Sequence, residues 1–203
     1  GYGNVIYVDK ENKNSLLCDE LKYNEKTGAG YATKHALLKD YSQGKDTLYA
    51  HADSIKIFTF NINTDSVYRK VHCYNKVSIF RTDVQAISDS LVFNSLDSCL
   101  TMYKDPVVWS DGRQLLGEVI KVYMNDSTVH FAQVIDQALS VEQMPDKQHY
   151  NQLASRLMNA YFDQGNIRQT EAIGNVRTVY YYTDDKDSSL VALNYMETDT
   201  LRM

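Results

Sequence analysis

The five residues Asp19-Glu20-Leu21-Lys22-Tyr23 read as acid, any residue, aliphatic, any residue, large apolar. The same order returns as Asp53-Ser54-Ile55-Lys56-Ile57, as Asp89-Ser90-Leu91-Val92-Phe93 and as Asp199-Thr200-Leu201-Arg202-Met203. Alternation over five positions sends the aliphatic and the large apolar side chain to one face of a β-strand and the residues between them to the other. The first three copies start 34 and 36 residues apart, and a weaker version without the acid is Ser127-Thr128-Val129-His130-Phe131. A second echo pairs the stretch from Gln114 to Met124 with that from Gln152 to Phe162 across a shift of 38. A period in this range is the mark of stacked units, each unable to bury its apolar face alone. The repeated acid is expected at the start of each strand, where a carboxylate accepts backbone N–H groups of the preceding turn and fixes register.

The rest of the chain alternates strand and turn. A short strand over 4–8 enters a polar turn over 9–14, which lacks the Gly and the distal Glu of a calcium-binding EF-hand loop. Asn24 to Gly30 reads as a hairpin turn with Gly where positive φ is wanted. Over 50–62 two registers compete, one through Asp53, Ile55, Ile57 and Thr59, the other through Phe58, Phe60 and Ile62; a strand apolar on both faces, or a bulge that swaps faces, satisfies both. Val71, Cys73, Val77 and Ile79 share a face over 71–80, with Asn75 the polar exception. Turns are expected at Asp111-Gly112, at Asn125-Asp126 and over 184–187. Only 134–158 carries helical spacings, through Ile135, Leu139, Glu142 and Gln143, and Pro145 interrupts them, so at most one short helix is expected there. Turn signals every 8 to 12 residues indicate an all-β sandwich, barrel or jelly roll.

Composition agrees: 16 Tyr against one Trp and two Pro suits strands. At 203 residues the chain is long enough for an ordinary core, in one elongated domain or two closely joined halves. No run of about 18 apolar residues reads as a membrane-spanning helix. The net charge of −5, with scattered basic residues, argues against nucleic acid as a partner. A chain that opens on Gly1 and closes in mid-pattern at Met203 is expected to be a trimmed piece of a longer precursor.

Catalytic chemistry is not marked. The five His stand apart; His51 and Asp53 permit a metal pair but lack further ligands, and solvent-facing strand residues are the plainer reading. No Ser lies in a nucleophile elbow, no Gly-rich loop opens a helix and no Cys has a motif-spaced His. Cys18, Cys73 and Cys99 show no metal spacing; one disulfide or three free, partly buried thiols both remain open. Asn125-Asp126-Ser127 matches a glycosylation sequon, which carries meaning only in a eukaryotic secretory context. No enzyme, cofactor or metal is expected.

The pieces Gly3-Asn4-Val5, Ala52-Asp53-Ser54-Ile55, Asp105-Pro106-Val107-Val108-Trp109, Gln114-Leu115-Leu116-Gly117, Tyr150-Asn151-Gln152-Leu153 and Gly174-Asn175-Val176 span nearly the whole chain. In order and spacing they resemble the OstA/LptA-like family, periplasmic lipopolysaccharide-transport proteins, and especially its Bacteroidetes-type OstA-like members. The resemblance implies a single domain over 1–203: an open β-jelly roll of stacked, V-shaped antiparallel strands built from ~35-residue repeats. It implies a hydrophobic groove for the acyl chains of lipopolysaccharide (lipid A), a periplasmic place with a link to the outer membrane, and end-to-end joining by edge-strand addition. The partners would be other transport proteins or a head-to-tail second copy, with 4–8 and 190–196 as the edges. The lining is then expected from Leu21, Tyr23, Ile55, Ile57, Val77, Ile79, Leu91, Phe93, Val107, Trp109, Ile120, Val122, Val129, Phe131 and Val176. A closed dry core is the alternative for the same side chains. An extracellular β-sandwich module binding carbohydrate or protein is the rival function, favoured by exposed Tyr and Trp in a flat row. A jelly-roll enzyme is a third reading, needing His or acidic side chains that converge in one pocket.

Overall fold

The structure, a computed structural model, describes all residues except 12, 43–45, 111, 126–127 and 185–188. The expected turn at Asp111, the sequon residues Asp126 and Ser127, and the turn around Asp185-Lys186-Asp187 therefore lie outside the described residues, as does Asn12 of the polar turn over 9–14. The period-two pattern becomes a single antiparallel sheet. Its strands are β1 (Tyr2–Asp9), β2 (Asn14–Asn24), β3 (Ala29–Asp40), β4 (Leu48–Phe60), β5 (Tyr68–Arg81), β6 (Val84–Asn94), β7 (Cys99–Tyr103), β8 (Val107–Ser110), β9 (Arg113–Leu116), β10 (Val119–Asn125), β11 (Thr128–Gln143), β12 (Tyr150–Asp163), β13 (Asn166–Thr183) and β14 (Leu190–Arg202). β7 and β8 follow one another along one lane, as do β9 and β10, so the chain makes a continuous meander of 12 lanes in sequence order. No helix occurs among the described residues.

Most of the lanes are too long for a flat strand, and their pairing breaks once near the middle. The register shifts at Leu17/Glu20, Thr33/Ala36, His51/Ser54, Tyr74/Val77, Ile135/Ala138, Ala154/Leu157 and Ile173/Val176. At each break every second lane inserts two successive residues with positive φ: Gly3-Asn4, Lys34-His35, Asn75-Lys76, Lys104-Asp105, Asp136-Gln137 and Gly174-Asn175. Every pair holds at least one Gly, Asn, Asp or His, the types that enter the left-handed region most readily. An inserted pair bends a strand sharply while leaving its alternation in phase, because two is the period of the strand. The intervening lanes shift by an odd count, so their alternation flips at the bend: Leu16 and Cys18 give way to Leu21 and Tyr23, Ala50 and Ala52 to Ile55 and Ile57. The competing registers over 50–62 are this face-swapping bulge.

Aligned bends crease the sheet into two arms. Residues 14–17, 48–51 and 84–87, with β8 and β9, lie on the first arm; residues 20–24, 54–60 and 90–94, with β7 and β10, lie on the second. One hydrophobic core joins Leu16, Ala86 and Leu153 of the first arm to Leu91, Met102 and Met158 of the second. Without helices to cover them, these faces are dry only because the arms cover each other. The crease itself is filled by small side chains, among them Ala36 and Ala52, both 0% exposed. Gly117 is needed there for room, since a Cβ would stand 2.4 Å from Val134 Cγ1.

Two expectations need correction, and the allowance of at most one short helix over 134–158 resolves to none. The signature acids stand at the crease in mid-strand, not at strand starts, and two of them meet side chains of the left-handed pairs: His35 Nδ1 lies 3.3 Å from Asp19 Oδ2 and Lys104 Nζ 2.9 Å from Asp89 Oδ2. Turn capture of backbone N–H groups falls to other residues, such as Asn24 Oδ1, which accepts from Lys26 N at 3.0 Å. The weak copy at 127–131 does not reach a bend; its lane bends at Asp136-Gln137. The short helix is absent because Ile135 and Leu139 share the outer face of β11 across that inserted pair, which mimics helical spacing, and Pro145 belongs to the following turn.

Candidate functional site

Residues paired directly across an antiparallel ladder share a face, so the registers define rows that cross the whole sheet. Next to the crease on the second arm, one row runs Leu21, Ala32, Ile55, Cys73, Leu91, Met102, Ile120, Val134, Met158, Ala172, Leu201. It contains no polar side chain other than the Cys73 thiol and extends about 48 Å at 4.8 Å per strand. The facing row on the first arm includes Leu16, Leu38, Ala50, Ile79, Ala86, Val108, Leu115 and Leu153. Beyond the first row the second arm presents a half-buried row with Ile57, Val71, Phe93, Leu100 and Val122, ending at Tyr23, which is 53% exposed. Tyr23 lies over Gly30, whose missing Cβ would meet Tyr23 Cδ2 at 2.7 Å.

Twelve of the expected lining residues point between the arms: Leu21, Tyr23, Ile55, Ile57, Val77, Ile79, Leu91, Phe93, Ile120, Val122, Val129 and Val176. Val107, Trp109 and Phe131 do not. Pro106 and Val108 fill the inward positions, and Val108 pairs with inward Ala86, which turns Val107 and Trp109 outward. Phe131 pairs with Tyr123 and Tyr161 outside, its ring 5.6 and 5.1 Å from theirs, because a register shift separates it from inward Val129.

The two lips of the crease differ chemically. The outermost inward row of the first arm is polar apart from Val84, with Ser110, Arg113 and Glu142 following it in register. Its cations are neutralised: Arg113 donates through Nε and Nη2 to Glu142 Oε1 at 2.9 and 2.7 Å, and Arg81 donates to both carboxylate oxygens of Asp83 at 2.6 and 3.0 Å. That pairing raises the Arg81 pKa and lowers that of Asp83. Inside, burial pushes the Cys73 thiol up to about 12 and raises Cys18 as well. All three cysteines are free and buried, so the disulfide alternative falls away. Cys99 is on the outer face, beside Thr101 Oγ1 at 3.6 Å.

No group of three or more His, Cys, Asp or Glu gathers as a metal site among the described residues. His51 is on the outer face of β4, and the bulge separates it from Asp53. The sheet does not close on itself: β1 and β14 are its edges, and both carry exposed apolar side chains, Ile6 and Tyr7 on one, Val191 and Leu193 on the other. The apolar row of the second arm reaches the β14 edge at Leu201 and begins at Leu21, one lane inside β1. Sequence reasoning missed the bends that create this geometry. Their signal was present in Gly3-Asn4-Val5 and Gly174-Asn175-Val176, each a left-handed pair followed by an apolar residue of the crease interior. The chain matches no protein-family model and no curated protein sequence.

Proposed function

We propose that the protein is a non-catalytic carrier that shields the acyl chains of lipopolysaccharide between the two arms of a creased, open β-jelly roll, on the way across the periplasm to the outer membrane. The observation that carries this reading is the unbroken apolar row from Leu21 to Leu201, which crosses every lane from β2 to the β14 edge. A fold that needed only a core has no use for apolar continuity over 11 lanes that runs out to an exposed edge. Edges of this kind invite further strands, which in a transport chain supplies contact with neighbouring proteins or with a second copy. The pieces that resemble the OstA/LptA-like family also fall at structurally matched places: five of the six include or adjoin a bend, and the sixth, Tyr150 to Leu153, leads into one.

The packing of the crease favours one route for loading. Inner side chains beside the crease are packed against one another, so acyl chains enter by parting the arms from the mouth, where Ile57, Val71, Phe93 and Val122 are only half-buried. Each methylene withdrawn from water is worth about 0.8 kcal/mol, on the order of 10 kcal/mol for one 14-carbon chain. Parting the arms exchanges their mutual contacts for contacts with lipid, so apolar surface stays covered throughout. The cations on the polar lip are already paired, which leaves little for phosphate head groups and makes acyl burial the main source of affinity. Titration calorimetry with lipid A, and with the same molecule after its acyl chains are removed, tests the proposal. Binding only of the acylated form, with affinity constant within about threefold between 50 and 500 mM salt, supports it; equal binding of the deacylated form, or loss of binding in salt, overturns it.

A further inference from the structure

On the outside of the first arm lies a second feature that the lipid lane does not use. A cleft of about 350 Å³ at the hairpin end of this arm is lined by Gln85, Trp109, Gln114, Gln143 and Tyr150 and reaches round to Ser110 and Arg113 of the polar lip. Gln85, Trp109 and Gln114 are successive members of one cross-strand row on β6, β8 and β9, so the indole is flanked on both sides by a primary amide. On the neighbouring row Gln143 Nε2 donates to Tyr150 Oη at 3.3 Å. Trp109 is 36% exposed, and its row continues over β5 and β4 to Phe80 and Tyr49, whose rings stand 6.5 Å apart and are likewise exposed. From Phe80 to Trp109 is two strands, about 10 Å.

We infer that this cleft is a binding site for a neutral saccharide. A pyranose ring offers an apolar C–H face and an edge of hydroxyl groups that both donate and accept. An exposed aromatic face covers the first, and Gln amides, which carry donor and acceptor together, satisfy the second. The volume is at the small end of ligand sites and holds roughly one or two such rings. Phe80 and Tyr49 extend the platform across the strands for a longer glycan. The lining favours a sugar over a protein partner, since Gln85, Gln114, Gln143 and Tyr150 would lose hydrogen bonds to water under a dry apolar interface. It binds and does not cleave: the two nearby carboxylates, Asp83 and Glu142, are tied to Arg81 and Arg113. The site's aromatic and amide side chains face away from the lipid lane, and the cleft meets that lane's side only at the polar lip, through Ser110 and Arg113.

Trp109 is the single tryptophan, so its fluorescence reports the site directly. The intact chain is titrated with maltohexaose, cellohexaose, chitohexaose and mannohexaose, all neutral. A saturable change in emission with at least one of the four is expected. Gln114→Ala and Gln143→Ala should each weaken it about tenfold, with circular dichroism unchanged. Silence of all four probes on folded protein overturns the inference, as does a midpoint that the two substitutions leave unmoved. Calorimetry on Trp109→Ala gives a check independent of fluorescence: full-strength binding there overturns the inference too.

Discussion

Truncating Ile120 to Ala tests the crease where it is tightest. Ile120 is 0% exposed and stands in register between Met102 and Val134, inside the row that the two arms cover. The change removes three carbons, worth about 2.4 kcal/mol at 0.8 kcal/mol each, and the packed neighbours can fill the space only partly. The cavity brings the total to about 3–4 kcal/mol, within the usual range for such truncations. For a chain of this size each kcal/mol shifts Tm by about 2–4 °C, so a fall of roughly 6–16 °C is expected. Urea unfolding of Ile120→Ala should show a lower midpoint with an unchanged slope. The paired control is Lys121→Ala, one residue along and on the opposite face, which should stay within about 0.5 kcal/mol. If the two substitutions cost the same, or if Lys121 costs more, the assignment of inner and outer faces on β10 is wrong, and with it the row that crosses the sheet.

Gly117→Ala should destabilise by about 1–3 kcal/mol in the same assay, because the new methyl meets Val134 Cγ1 at 2.4 Å in the crease. Cys18, Cys73 and Cys99 should all resist a disulfide-exchange thiol reagent at pH 8 in the native protein and react together after unfolding, since each is buried and the Cys73 thiol is held near 12; fast native labelling would contradict their burial. Asp146 is held at about 2 by His149 and by the backbone N–H groups of Gln148 and His149. Its folded pKa is below the unfolded value of about 3.9, so its stabilising contribution is present above pH 4 and is lost as pH falls toward 2. Replacing Asp146 by Ala should therefore lower the urea midpoint at pH 6 and flatten its decline between pH 4 and 2.

The strand content and most inward faces could be read from alternation alone, because a buried face on a strand imposes a period of two wherever the strand is straight. Val71, Cys73, Val77 and Ile79 show why this survived the bends on β5: the inserted Asn75-Lys76 preserves the phase. The crease was not legible. Gly, Asn and Asp serve hairpin turns as readily as bends within a lane, so Asp136-Gln137 gave no sign of a bend, and Asn75, read as a polar exception within the strand over 71–80, gave none either. Val107-Val108-Trp109 is apolar on both faces, and only Pro106 at the inward position decides that Val108 points in and Trp109 out. Phe131 misled for a related reason: strict alternation from Val129 predicts an inward ring, and the bulge near His130 sends it out to Tyr123 and Tyr161. The outer aromatic row was illegible for the same cause, since its members sit on separate strands that only the registers bring side by side.

The most direct test of the proposed lipid lane is site-specific photo-crosslinking to purified lipopolysaccharide, with a benzophenone amino acid placed in turn at Ile57, Phe93 and Val122 and, as a control, at Lys56. Lys56 adjoins Ile57 in sequence and lies on the opposite face, its Nζ 5.2 Å from the centre of the Tyr74 ring. Adducts at the three inward positions and none at Lys56 are the predicted result. Adducts at Lys56 as strong as those at Ile57, or no inward adduct on folded protein, would contradict a carrier that holds acyl chains between its arms.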